Sequence, residues 1–202
     1  MTRAVFFDLG KVLLDFDWTA ASRGAAGCCD ADPVSMARWV TSSQQACDYE
    51  CGRLGSREFF ERAQKALGFR GGFEEFARLW SDIFTEVPES VALVRRLKGR
   101  VPIALLSNSN EMHIEWVTKR WDFMRLFDAA IISYREGCMK PQPEIYKRAL
   151  ARLGVEPAEA FFMDDRPENV AGARAVGMDA VLFTDPAALR VALVERGLLR
   201  EE

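Results

Sequence analysis

Short apolar segments, each closed by a polar side chain and set apart by stretches of helical period, leave this chain few folds to choose from. After residue 88 the alternation is regular. "PESVALVRRLKG" puts Val91, Val94 and Leu97 on one face, with Pro88 in the first turn and Gly99 past the end, as in a capped amphipathic helix. "VPIALLSNSN" reads as a strand, "MHIEWVTKRW" as a helix, "DAAIIS" as a strand and "PEIYKRALARLG" as a helix stopped by Gly154. "AFFMDD", "PENVAGARAVG", "AVLF" and "DPAALRVALVERGL" continue as strand, helix, strand and terminal helix. The N-terminal "AVFFD" adds one strand. These strands are continuously apolar rather than alternating, the pattern of a parallel sheet covered by helices on both faces. The expected fold class is therefore α/β, with a doubly wound, Rossmann-like parallel sheet.

Between residues 15 and 87 that rhythm breaks. No convincing strand is visible there. "SMARWVTSS", "SREFFERAQKALG" and "FEEFARLWSDIF" have helical spacing, punctuated by Gly52, Gly55, Gly68, Gly71 and Gly72. The expectation is a core from residues 1–14 and 88–202, with a small helical bundle, 15–87, inserted after the first strand. The aromatic-rich "FFERAQKALGFRGGFEEF" would form the core of that bundle.

Composition narrows the function. The 202 residues carry a net charge of −3 and no basic run, so a nucleic-acid partner is not expected. No apolar stretch is long enough to span a membrane, and because "MTRAVFFD" enters a strand directly a signal peptide is not expected. Cys28, Cys29, Cys47, Cys51 and Cys138 are odd in number and form no CxxC pair, which argues for reduced thiols and a cytoplasmic setting.

Chemistry follows from where the polar residues fall. Three apolar strands end in Asp8, in Ser107 and Asn108, and in Asp164 and Asp165. Carboxyl ends of strands line the ligand crevice of open α/β sheets. Carboxylates arriving from two strands would repel each other there, and a hard cation with oxygen ligands resolves the repulsion. Lys140, in "CMKPQP", follows a strand on the same side of the sheet, and Pro141 biases its backbone toward an extended form.

"FFDLGKVL", "LLSNSN", "GCMKP" and "FFMDDRPENV", in this order and at these strand ends, resemble the four motifs of the haloacid dehalogenase-like hydrolases. That family consists mainly of magnesium-dependent phosphatases. The likeness runs over essentially the whole chain, and the inserted bundle looks like the family's small helical cap. Within the family, the motifs look closest to bacterial α-glucose-1-phosphate phosphatases and the phosphatase domain of soluble epoxide hydrolases. The resemblance implies that Asp8 is a nucleophile forming an aspartyl-phosphate. It implies Mg2+ held by Asp8, Asp165 and the Gly10 carbonyl, with Ser107 and Asn108 on the phosphoryl group or nucleophile. Lys140 would neutralise charge on both, Asp164 would position Lys140 or a metal-bound water, and Asn169 would support the loop.

One departure stands out. Most phosphatases of the family carry an acid two residues after the nucleophile, as proton donor and then as base. Here that residue is Gly10, and such a group contributes ~100- to 10,000-fold. The α-glucose-1-phosphate phosphatases share the Asp-Leu-Gly pattern. Either the leaving group needs little protonation, or Asp15, Asp17 or Glu50 replaces the acid, or the protein binds phospho-ligands with little turnover. In the insertion, "YECGRLGSREFF" offers Tyr49, Glu50 and Arg53 for substrate recognition, with Gly52 allowing close backbone approach. His113, the single histidine, is read as a surface or packing residue. The expected function is a magnesium-dependent phosphohydrolase of a small phosphorylated metabolite such as a sugar 1-phosphate, acting as a monomer or homodimer. A metal-independent haloacid dehalogenase and a non-catalytic, regulatory phospho-ligand binder are the alternatives.

Overall fold

The structure, a computed structural model, describes residues 1–25 and 27–200. Ala26 of the expected insertion and the last two residues of the expected core lie outside the described residues.

Five parallel strands form the central sheet: β1 (Ala4–Phe7), β4 (Ile103–Ser107), β5 (Ala129–Ile132), β6 (Ala160–Asp164) and β7 (Asp179–Leu182), in the order β5-β4-β1-β6-β7. The α/β expectation holds. β1, β4 and β6 are buried along their whole length, while the edge strands β5 and β7 are partly exposed. Because successive strand residues point to opposite faces, each buried strand feeds two separate apolar layers. Val5, Phe7, Ile103, Leu105, Phe161 and Met163 pack on one side with α6 (Pro88–Leu97), α7 (Glu111–Arg120) and α11 (Pro186–Glu195). Ala4, Phe6, Ala104, Leu106 and Phe162 pack on the other with α9 (Pro143–Leu153) and α10 (Pro167–Ala175). This two-sided burial explains why these strands lack polar alternation.

The insertion contains α1 (Trp18–Ala25), α2 (Pro33–Ser42), α3 (Gln44–Glu50), α4 (Ser56–Leu67) and α5 (Phe73–Ser81). α1 and α3 were not visible in the periodicity. The expectation of no strand is corrected: β2 (Leu14–Phe16) and β3 (Phe84–Glu86) pair antiparallel, with Leu14 opposite Glu86 and Phe16 opposite Phe84. Three-residue strands carry too little pattern to read, and their pairing joins residues about seventy positions apart. The ribbon ties the entering chain to the leaving chain. It also ends α5 early, since Phe84, expected in that helix, belongs to β3.

A third apolar cluster joins Tyr49, Leu54, Phe59, Phe69, Phe76 and Trp80 of the insertion, with Met112 of α7 reaching into it. His113 is buried at the same junction, where surface placement had been one of two expectations. Its ring stacks 5.4 Å from Trp80 and meets Phe84 edge-on at 5.0 Å. Nδ1 lies 3.1 Å from the Asn110 side-chain nitrogen, and Nε2 lies 3.1 Å from the Trp80 carbonyl oxygen. A neutral ring that accepts at Nδ1 and donates at Nε2 satisfies both.

Burial pushes the His113 imidazole down to about 4, against the opposing effect of the Trp80 bond. The unfolded ring takes a proton below its usual 6.5 and the folded ring does not. Stability present above that value is therefore lost as pH falls from 6.5 to 4, by about 3 kcal/mol in all. Urea unfolding at a series of pH values should show this slope, and His113→Gln should flatten it. An unchanged slope in the variant would assign the acid sensitivity to other groups.

Candidate active site

The sheet order reverses at β1. The chain leaves β1 for β4 on one side and later returns to β6 on the other, which opens a crevice at the carboxyl ends of all three. Asp8 follows β1, and its backbone N–H donates to the Met163 carbonyl at 3.1 Å. Ser107 ends β4 and Asp164 ends β6. The strand pairing alone thus brings the motifs together.

Lys140 sits between the carboxylates. Its Nζ lies 2.8 Å from Asp8 Oδ1 and 2.5 Å from Asp164 Oδ2, and donates to the Leu106 carbonyl at 2.9 Å. All three side chains are buried. Burial works against the Lys140 charge, but Asp8 and then Asp164 outweigh it and raise the ammonium further. Burial pushes Asp8 up to about 7, against the pull of Lys140, and the Asp164 charge adds to the rise. Lys140 precedes Pro141 through a cis peptide bond. Its backbone is clamped by Asn108, whose Oδ1 accepts from Lys140 N–H at 2.8 Å and whose Nδ2 donates to the Lys140 carbonyl at 2.9 Å. Expected on the nucleophile or substrate, the Asn108 side chain spends both its polar ends on the lysine loop while still lining the cleft.

Asp164 Oδ1 accepts from the Asn169 amide and from Arg166 N–H, both at 2.9 Å. Asn169 is itself held, its carbonyl accepting from the Tyr146 hydroxyl at 2.7 Å. With one oxygen on Lys140 and the other doubly bonded, Asp164 is committed within the protein. Asp8, Asp164 and Asp165 each offer an oxygen within 4.8 Å of the others, the one such carboxylate group among the described residues. With Asp164 engaged, Asp8 and Asp165 are the side chains open to a cation. Asp165 is half-buried and its carboxyl is raised, by burial first and then by Asp164. An all-oxygen donor set in which burial raises both Asp8 and Asp165 fits a hard divalent ion such as Mg2+.

Above this cluster lies a cleft of about 560 Å³. Asp8, Gly10, Ser107, Asn108, Lys140, Asp165 and Asn169 line its floor. The Ser107 hydroxyl lies 3.5 Å from the Asn108 carbonyl, too long for a firm hydrogen bond. Of the three recognition residues expected in the insertion, Glu50 alone lines the cleft. Tyr49 is core instead: its ring stacks on Phe59 at 4.4 Å, and its hydroxyl bonds Ser56 Oγ and Met112 N–H. Arg53 turns to Asp48 Oδ1 at 2.8 Å. Gly52 does permit close approach, but of the protein to itself. At its φ of +71°, a Cβ would stand 2.1 Å from the Tyr134 carbonyl oxygen.

Other walls were missed in the sequence. Phe16, Trp18, Gln44, Met139, Phe84 and Arg166 all line the cleft. Arg166 follows directly on the paired acids and so had a positional signal. Phe16 and Phe84 had none, because only the β2–β3 pairing turns them inward.

Comparison with known proteins agrees with this geometry. A family profile for haloacid dehalogenase-like hydrolases matches residues 2–177. A sesquiterpene phosphatase of Aspergillus oryzae is 28% identical over 195 residues, covering 91% of this chain and 90% of that protein. The D-ribitol-5-phosphate phosphatase of Bacteroides thetaiotaomicron is 27% identical over 188 residues, covering 89% and 90%. A haloacid dehalogenase-family enzyme of B. thetaiotaomicron, solved with magnesium and inorganic phosphate, superposes with a TM-score of 0.80. It shares 22% identity and covers 91% of this chain and 95% of its own. The chain belongs to the haloacid dehalogenase-like hydrolases. It is an enzyme of that family, and its relatives set it among the phosphatases.

Proposed function

We propose that the protein is a magnesium-dependent phosphohydrolase acting on a small, otherwise uncharged phosphorylated metabolite, a sugar phosphate such as a sugar 1-phosphate. The observation that carries the reading is the buried Lys140 ammonium bridging Asp8 and Asp164 beside Asp165. In this reading Asp8 attacks phosphorus and forms an aspartyl-phosphate, which water then cleaves. Lys140 offsets charge on the Asp8 carboxylate and the incoming phosphoryl oxygens from a site shielded from water. Asp164, Asn169 and Asn108 keep Lys140 in place. Ser107 offers a hydroxyl to the phosphoryl group. Mg2+ would sit on Asp8, Asp165 and the Gly10 carbonyl, where its charge would screen the repulsion between carboxylate and phosphate.

The substrate class is supported by the walls. Phe16 and Trp18 bring aromatic residues to the lining, and Thr41, Ser42, Ser43 and Gln44 bring polar ones, a mixture suited to a sugar. The wall cation Arg166 is paired with Glu168 at 2.5 Å, and Glu50 adds an acid, so a second anionic group on the substrate is disfavoured. The ribitol-phosphate phosphatase among the relatives acts on a phosphorylated sugar alcohol, in keeping with this. We take residues 15–87 as the cap that supplies these walls, supported by its own apolar cluster. Five free thiols accord with a reducing, cytoplasmic setting. The acidic trio supports a metal-dependent reaction over a metal-free dehalogenation.

The test is phosphate release from sugar monophosphates, sugar bisphosphates and nucleotides, with magnesium and after its removal by a chelator. Sugar monophosphates should turn over fastest, and chelation should abolish release. Metal-independent release, or chloride release from a 2-chloro acid, would refute the proposal.

A further inference from the structure

Resting on the phosphohydrolase reading, we infer that Glu50, reaching into the cleft from α3, is the general acid and base that position 10 cannot supply. Three sets of observations converge on it.

Position 10 is crowded as well as bare. A Cβ there would stand 3.0 Å from the Phe16 ring. That ring is held on several sides, by Trp18 and Phe84, each at 6.2 Å between centroids, and by the Lys11 ammonium at 4.6 Å. A side chain at position 10 would have to displace that ring by a few tenths of an ångström.

Among the described residues, the acidic residues lining the cleft are Asp8, Asp165 and Glu50. In the proposed reaction Asp8 attacks phosphorus and Asp165 would hold the cation. Asp15 is exposed and ion-paired with Lys11. Asp17 accepts from the Thr19 N–H and hydroxyl and is not among the lining residues.

The backbone at Glu50 is held against the core domain. Ser133 Oγ donates to the Glu50 carbonyl at 2.6 Å. Gly52 lies against Tyr134, and Cys51 Sγ lies 3.3 Å from the sulfur of Met139, the residue before Lys140. Burial raises the Glu50 carboxyl, opposed by the Arg166 charge, and the net rise is in the direction a general acid needs.

The step balances. As an Asp8 oxygen bonds phosphorus and the phosphorus–alkoxide bond breaks, the Glu50 carboxylic acid gives its proton to the departing alkoxide. Glu50 carboxylate then takes a proton from the water whose oxygen attacks phosphorus. The phosphorus–Asp8 bond breaks, inorganic phosphate leaves and Glu50 is protonated again.

Rapid-quench kinetics on the full-length enzyme with Glu50→Gln tests this, using glucose 6-phosphate as a poor leaving group and 2,4-dinitrophenyl phosphate as a good one. Turnover of the sugar ester should fall ~100- to 10,000-fold. The burst of dinitrophenolate should keep its wild-type rate, and phosphorylated Asp8 should accumulate because its hydrolysis has lost the base. Adding Gly10→Asp with Phe16→Ala should restore part of the sugar-ester turnover. Equal losses on both esters, or none on either, overturn the role of Glu50. A wild-type enzyme that never phosphorylates Asp8 overturns the parent reading instead.

Discussion

Asp8→Asn should remove turnover altogether, on the order of a millionfold where a nucleophile acts as a unit with its partners. An amide nitrogen or oxygen at this position cannot form the acyl-phosphate. The fold should survive. Lys140 keeps its bond to Asp164 at 2.5 Å and to the Leu106 carbonyl, and the like-charge contact between Asp8 and Asp164 disappears. The burial that raises Asp8 to about 7 no longer opposes a charge at that position. Acid-quenched wild-type protein should gain one phosphoryl group by mass, and the variant none, with melting temperatures that match. Wild-type rates in Asp8→Asn would exclude covalent catalysis.

The second large effect is on stability as well as rate. Lys140→Met leaves Asp8 and Asp164 buried together without their shared cation. Removing one partner from a buried ion pair costs about 3–5 kcal/mol, because the remaining charge stays out of water. For a chain of this length that is roughly 10 °C in melting temperature. Part of the loss should return on adding magnesium, since a dication at Asp8 and Asp165 would again offset the carboxylates. Asp164→Asn should cost less, because Lys140 retains Asp8 at 2.8 Å. A Lys140→Met protein that melts like wild type in the absence of magnesium would mean the carboxylates simply take up protons, and that the ammonium contributes little to the fold.

Much of this site was legible in one dimension. A strand buried on both faces must be apolar throughout, so the first polar residue after "AVFF", "IALL" or "AFFM" marks a strand end. In a parallel sheet those ends share one edge. Asp8, Ser107 and Asp164 could therefore be assigned to one crevice before any coordinates. Lys140 could be placed because it follows a strand on the same side of the sheet, whereas Asn169 came only from the family resemblance.

The insertion behaved differently. Tyr49, Glu50 and Arg53 are near neighbours in sequence and all carry polar groups, yet one lines the cleft, one is core and one lies on the surface. A seven-residue helix and the turn after it point side chains in every direction, and which direction meets the cleft depends on how α3 docks against Ser133 and Tyr134. Asn108 was likewise read as a ligand group, because its pairing with a residue thirty-two positions away has no local signal.

By itself the sequence determined the sheet, its parallel direction, the strand ends and the acids and lysine that stand there, because burial on two faces and strand polarity are local, periodic constraints. Only the tertiary structure decided what fills the space beside Gly10 and which acid overlooks the cleft. Those depend on the β2–β3 ribbon turning Phe16 inward and on α3 docking near Lys140, contacts between segments far apart in the chain that no periodicity encodes.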